Sequence, residues 1–474
     1  MSDAEGAKIR RERYLAASAA EYEALEYART AGLSFSDLEE LAFAAGQRLA
    51  KLLLESRLEG DPRAEPDGDY CCPRCQGKLR IQERQQARTM RTMVGEVSYR
   101  RPYGVCDRCQ ITAVALDQGL GIPPTGSSVS YRQKVCHAAI VGRSFDDGQE
   151  LLRVQAGLSI SAKHVRTIAE AEGRRVIEQR DIQLCAFEEH RFVPQSQEAP
   201  ELCVVTCDGG RVQTRQPVKG ERWKEDKIGV VYDAIPQPLA QVTSEKYEGA
   251  KALTKTYVAT MEPWERLGWM LRLQAELRGY EKSKAKIFLA DGAPTLRELK
   301  NFHFPEATFI LDWPHAAGHL MECAKAIFGE GTVEAYRWYD KHTDLLWEGD
   351  VQSVIAELEE QSQTLGLPTK NDTDCSARRV LYRNATSYFP NNRDAMDYPT
   401  FRAKGWPIAS GVAEGAVKQF ALRIKGSEKF WHLQGAEEIL TLCALYHSED
   451  GAWQRHWKSR GQPRSNPTDN ADDH

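Results

Sequence analysis

Apolar residues recur at helical intervals early in the chain, where Leu38, Leu41, Ala42, Ala45, Leu49 and Leu52 fall on one face of a predicted helix. This N-terminal stretch is rich in Ala, Glu, Leu and Arg and ends at Gly60-Asp61-Pro62, where glycine and proline stop a helix. A polar run to Asp69 leads into a cysteine-bearing module at 70–118, whose segment Arg88 to Tyr99 has the composition of a β-hairpin. Gly119 to Ser128 reads as a Gly/Pro/Ser linker, 129–182 as a helical block, and 183–200, with Pro194, Gln195, Gln197 and Pro200, as a second linker.

The pattern then changes to strands. Apolar runs at 202–207, 228–235 and 238–243 predict a meander of three, followed by a helix at 262–279, a strand at 286–290, a helix at 294–301 and a strand at 307–311. The order β-β-β-α-β-α-β predicts an α/β core with mixed sheet direction. From about 315 to 400 the pattern is helical with polar loops such as Asp350 to Gln361, and Gly411 to Lys425 forms a further helix. The expected organisation is a helical segment at 1–69, a cysteine module at 70–118, a helical domain at 119–182, an α/β domain at 200–450 with a helical insertion near 320–400, and a charged, disordered tail at 458–474.

A net charge of -5 over 474 residues makes no case for nucleic acid, so any such binding must rest on local patches. The N-terminus lacks an apolar signal core, and no apolar run approaches the roughly 18 residues that span a bilayer. The expectation is a soluble cytoplasmic protein with no membrane partner. Twelve cysteines in a reducing compartment argue against a disulfide framework.

Four of those cysteines have metal-ligand spacing. Cys72-Pro-Arg-Cys75 and Cys106-Asp-Arg-Cys109 can each form a tight knuckle, and a hairpin between them would bring four thiolates around one tetrahedral Zn²⁺. Cys71 could compete with Cys72, although the Cys72 knuckle matches the second pair in spacing. Arg74 to Arg108 carries nine Lys or Arg against three Asp or Glu, a charge suited to a phosphate backbone. Downstream, a helix bearing Leu151, Leu152 and Val154, a turn at Gly157 to Ile160, and a second helix capped by Ser161 resemble a helix-turn-helix. Lys163, His164 and Arg166 would then lie where base edges are read.

Three distant acids carry the chemistry. Asp208 follows the apolar run Leu202 to Cys207, Asp291 follows Ile287 to Ala290, and Glu414 lies in the last predicted helix. Carboxylates converging at strand tips are costly to ionise together unless divalent cations neutralise them. Each Asp-Gly could instead simply close a turn. On the Glu414 helix, Ala413, Ala416, Val417, Phe420 and Ile424 form an apolar face, while Glu414, Lys418 and Lys425 recur on another as a metal ligand flanked by phosphate contacts. His315 and His319 lie one turn apart, but a zinc-protease HExxH requires glutamate where Ala316 stands.

These motifs, with Leu311-Asp312-Trp313-Pro314-His315-Ala316-Ala317-Gly318-His319-Leu320 and Gly411-Val412-Ala413-Glu414 followed by Arg423-Ile424-Lys425-Gly426-Ser427, resemble DDE insertion-sequence transposases of the ISKra type. The resemblance spans roughly 70–450 and implies a ribonuclease H-like core preceded by a zinc ribbon and a helix-turn-helix. It implies that Asp208, Asp291 and Glu414 hold two Mg²⁺ or Mn²⁺ ions for DNA cleavage and strand transfer. His315, in a DxxH motif with Asp312, would be near the reacting phosphate; Asp312 is the alternative to Asp291, which strand order and the resemblance favour. Implied partners are the double-stranded DNA of element ends and target, with at least a homodimer assembled on it at the nucleoid. A DNA-binding descendant that no longer cuts, and a nuclease that does not join, are the competing functions.

Overall fold

A computed structural model describes residues 3–29, 32–218, 220–237, 247 and 249–462. The chain forms two compact units, one of 1–169 with 453–474 and one of 170–452. The first begins with α1 (Asp3–Arg29) and α2 (Phe35–Glu59). Ser34 starts α2 with a capping box, its hydroxyl accepting from Asp37 N while the Asp37 carboxylate accepts from Ser34 N. Arg13 pairs with Glu59 and Arg48 with Glu21 across the two helices. Of the predicted apolar stripe Ala45 is buried while Leu41 stays exposed; at the other end of α2, Leu58 enters a cluster with Met90, Val97, Tyr99 and Leu116.

Strands β1 (Arg80–Thr92) and β2 (Gly95–Val105) form an antiparallel hairpin, longer at both ends than the predicted 88–99, and the two-residue β3 (Thr112–Ala113) extends it. Helices α3 (Ala115–Gly119), α4 (Val129–Val141), α5 (Phe145–Ala156) and α6 (Ala162–Glu188) follow. Gly157 ends α5 in the left-handed region at φ 61°, and the Ser161 hydroxyl accepts from His164 N at the start of α6. The unit boundary falls inside α6, at 169/170, rather than in the expected linker. That helix continues past 182 to Glu188, and 191–200 carries neither helix nor strand.

The second unit is a mixed α/β fold. β4 (Leu202–Val218), β5 (Glu221–Ile235) and β6 (Lys251–Thr260) are antiparallel neighbours. After α7 (Trp264–Leu277), β7 (Ala285–Ala290) returns parallel to β4; after α8 (Pro294–His303), β8 (Thr308–Leu311) lies parallel to β7. The helical crossovers permit that change of direction. The sheet order is β6-β5-β4-β7-β8, and Leu202, Cys203, Val204 and Val205 in the central strand are fully buried, as expected where both faces are covered. The predicted strand 238–243 lies outside the described residues; the third described strand is β6.

Helices α9 (Trp313–Phe328), α10 (Val333–Trp347), α11 (Val351–Leu365), α12 (Ala377–Arg383), α13 (Phe389–Asn392) and α14 (Tyr398–Ala403) precede α15 (Gly411–Ile424) and α16 (Leu433–His447). A π-helical turn, Asn384–Tyr388, joins α12 to α13. The expected loop Asp350 to Gln361 is helix: Asp350 caps α11, and Val351, Val354, Ile355 and Leu358 bury a helical stripe that its polar composition concealed. Helix α15 packs on β4 and β5, and α16 on β6. Helix α17 (Ala452–Arg460) continues through the start of the expected disordered tail, because Trp453 and Trp457 are buried; 463–474 lies outside the described residues.

Candidate metal centres

Two short loops of the same shape build the cysteine cluster. Cys72 N donates to Gly77 O and Gln76 N to Cys72 O; likewise, Cys106 N donates to Ile111 O and Gln110 N to Cys106 O. Gln76 and Gln110 both adopt a positive φ, 58° and 57°. Each first cysteine sulfur accepts a backbone N–H, from Arg74 at 3.4 Å and from Cys109 at 3.3 Å. The β1–β2 hairpin brings the loops together, and the four Sγ atoms of Cys72, Cys75, Cys106 and Cys109 lie within 4.8 Å of one another. The Cys109 N–H draws the Cys106 thiol down to about 7, while hydrogen bonding from Cys75 pushes Cys109 up to about 12. Four touching thiols cannot all ionise without a cation, so the donor set fits a tetrahedral metal and could bind zinc. Cys72 is buried in the cluster and Cys71 is exposed outside it.

The charge around this module is more balanced than its segment suggests. Lys78 pairs with Asp69, Arg80 with Asp107, Arg84 with Asp67, and both Arg88 and Arg101 with Asp117. Three of those acids lie outside the segment 74–108, which is why the local count overstated the field. Arg74, Arg100 and Arg108 are exposed. In α6, Lys163 is exposed and Arg166 half-buried, whereas His164 is held with its ring nitrogens 3.1 and 2.9 Å from Arg91 Nη1.

The carboxylate site is assembled from the ends of several elements. Asp208 is not at the tip of its strand: β4 continues to Val218, and Asp208 pairs in register with Ile228 of β5. What ends there is the parallel partner, since the last β4–β7 pair is Thr206 with Leu289. The apolar run stops where the second neighbouring strand stops. Asp208-Gly209 is therefore strand rather than turn. Asp291 follows β7 directly, with its Oδ1 accepting from Ala293 N at 2.9 Å. Gly292 takes φ 82°, and a Cβ there would meet Leu311 Cδ1 at 2.5 Å. The insertion holds this turn: Tyr388 Oη donates to Asp291 O at 3.2 Å and Asn392 Nδ2 to Gly292 O at 3.3 Å.

Burial pushes the Asp208 carboxyl above the usual carboxylate range, and the charges of Asp291 and Glu414 push it further; Gly209 N–H and His315 act in the opposite sense. The four predicted residues Asp208, Asp291, Glu414 and His315 thus share one electrostatic neighbourhood. The tightest grouping within it is different from the predicted trio. Donor atoms of Asp312, His315 and Glu414 lie within 4.8 Å of one another, the second such group among the described residues besides the cysteines. Asp312 is fully buried at the end of β8 and caps α9. Its Oδ1 accepts from Ser410 N at 2.5 Å and its Oδ2 from His315 N at 3.3 Å. Trp313 N donates to Ile408 O, so the end of β8 is tied to the chain entering α15, which bears Glu414.

The two predicted lysines differ. Lys418 is exposed and pairs with Glu414 at 3.3 Å. Lys425 leaves the helix with extended backbone, φ -96° and ψ 153°, so it does not continue the face of Glu414 as predicted. It reaches Asp226 of β5, with Nζ 3.8 Å from Oδ1. Asp226 is buried, and that Oδ1 has no hydrogen-bond donor. Gly210, its register partner, leaves the space: a Cβ there would lie 2.2 Å from Lys425 Nζ and 2.6 Å from Asp226 Oδ1. Sequence reasoning missed Asp226 because the charged run 221–227 has no apolar pattern to mark it as strand; its position two residues before Ile228 was the available signal. His319 hydrogen-bonds Asn384 through Nδ1 at 2.8 Å and stacks on Tyr388.

No helix among the described residues is long and apolar enough to cross a membrane. No curated protein matches the chain. The sequence profile described as "Uncharacterised protein family (UPF0236)" matches residues 30–461. With nearly the whole chain matched, this protein belongs to the uncharacterised family UPF0236.

Proposed function

We propose that this protein is a DNA transposase that cuts and joins DNA strands with divalent cations held by Asp208, Asp291 and Glu414. The observation that carries the reading is their convergence: Asp208 on the central strand, Asp291 just after the adjacent strand and Glu414 on a helix packed over both β4 and β5, with Asp291 and Glu414 both raising the Asp208 carboxyl. Three antiparallel strands followed by two parallel ones, in the order β6-β5-β4-β7-β8, support a ribonuclease H-like core. Half-buried like-charged oxygens suit a hard cation such as Mg²⁺ or Mn²⁺. Once bound, such ions would activate the attacking oxygen and stabilise the leaving one.

The protein's own groups supply positioning. Asp208, Asp291 and Glu414 would together hold the ions. His315 would face the scissile phosphate, and Lys418 and Lys425 would contact strand phosphates. The four-cysteine module would carry one structural Zn²⁺ and, with the helix-turn-helix of α5 and α6, bind double-stranded element ends. On the ribbon, the exposed Arg74, Arg100 and Arg108 would meet phosphates, while Lys163 and Arg166 would approach the groove. Joining two ends requires at least a homodimer on DNA, and such a protein would work at the nucleoid in the cytoplasm.

Purified protein incubated with Mg²⁺ and the DNA end flanking its gene tests the reading. Wild type is expected to cut the end and join it to target, and Asp208→Asn to do neither while still retaining DNA. Cutting without joined products would make it a nuclease; DNA retention without cutting in the wild type would make it a binding protein.

A further inference from the structure

Asp312, His315 and Glu414 are brought together by features that do not depend on the predicted trio. The buried Asp312 carboxylate is fixed from both sides by Ser410 N–H and His315 N–H. His315 Nε2 lies 3.7 Å from Asp312 Oδ2, a spacing too long for a hydrogen bond. It suits two ligands spanned by one ion at bond lengths of about 2.0–2.2 Å each. Glu414 completes the set within 4.8 Å, and its own backbone N donates to Ser410 O at 3.0 Å, so the residue that anchors Asp312 also starts the helix that presents Glu414. The side chains of His315 and Glu414 are 41% and 34% exposed, which leaves a solvent path for an ion.

We infer that Asp312, His315 and Glu414 form a two-carboxylate, one-imidazole metal site, sharing Glu414 with the catalytic constellation. The inference extends the proposed function at the same place and rests on Glu414 being a metal ligand there. An imidazole among the donors changes the preferred ion: Mg²⁺ favours oxygen donors alone, whereas Mn²⁺ and later first-row ions take nitrogen as well. The site should therefore bind Mn²⁺ more tightly than Mg²⁺, which would make Mn²⁺ the better activator.

Electron paramagnetic resonance of the full-length protein loaded with Mn²⁺, its zinc content confirmed unchanged, reads the site without requiring activity. The wild type is expected to show ¹⁴N modulation from a coordinated imidazole. His315→Gln should lose that modulation and bind Mn²⁺ about tenfold or more weakly, on the scale of losing a group that supports a metal site. Asp208→Asn should keep the modulation. Mn²⁺ bound without nitrogen coupling in the wild type, or coupling that persists in His315→Gln, would overturn the assignment; a variant with altered zinc content is replaced by His315→Asn and judged on the same two criteria. Nitrogen coupling in a protein that never cuts DNA would keep this site and remove the proposed function. Cutting with no nitrogen coupling would do the reverse.

Discussion

The cysteine cluster and the carboxylate site bring four side chains each together by opposite means. In the first, each knuckle forms within six residues through its own backbone hydrogen bonds, and one hairpin joins the two. In the second, Asp208, Asp291, Asp312 and Glu414 come from β4, the end of β7, the end of β8 and α15, and no two are held by a shared local loop. The first site has little structure beneath it beyond a small cluster of Tyr70, Leu79 and Ala113 with the cysteines themselves. The second rests on a five-stranded sheet with a buried central strand. A metal should thus be needed to fold the one and only to neutralise the other.

The largest expected contrast comes from removing metal. Structural zinc contributes about 10–16 kcal/mol in small zinc-dependent domains. Chelation, or Cys106→Ser, should open 70–113 to proteolysis and hydrogen exchange while the sheet of 202–311 stays protected. Equal loss of protection in both would break the comparison. Asp208→Asn comes next: strand cleavage should fall by roughly three orders of magnitude or more, the scale of losing a catalytic group. The melting temperature of the zinc-replete, magnesium-free protein should not fall, since a half-buried carboxylate repelled by Asp291 and Glu414 has been removed. A drop of several degrees would mean that Asp208 is structural.

Smaller effects sharpen the description of the second site. Gly210→Ala would force Lys425 or the buried Asp226 to move, at about 1–3 kcal/mol in thermal or denaturant unfolding. If Lys425 yields freely the cost should vanish, and combining the change with Lys425→Ala measures this. Smallest is Tyr388→Phe, which removes the hydrogen bond to Asp291 O for about 0.5–1.5 kcal/mol. Its metal affinity should weaken more than its stability, because the insertion holds the turn of Asp291 from outside the sheet.

The same contrast explains what could be read from sequence. Cys72 to Cys75 and Cys106 to Cys109 are legible because a knuckle is a local object whose spacing is its geometry. Strands β4, β5, β7 and β8 were legible from their apolar runs, and the intervening helices implied a mixed sheet direction. Strand β6 was not, since Lys251, Lys255 and Thr256 interrupt its apolar positions. The placement of Asp208 within its strand was hidden because the apolar run records two neighbours, and it ends when β7 does. Asp312 was seen but set aside: nothing local shows that Ser410 N–H, almost a hundred residues on, fixes its carboxylate beside Glu414. Asp226 was invisible for the same reason, its burial depending on Gly210 across the ladder and on Lys425 from another element.

The most direct test of the central claim is a crystal of the zinc-replete protein soaked in Mn²⁺, with anomalous diffraction measured at the manganese edge. The account predicts a peak beside Asp208 and Asp291 that disappears in Asp208→Asn, while manganese held by Asp312, His315 and Glu414 remains. Manganese density elsewhere only, or none at all with these side chains ordered and the site open to solvent, would contradict it.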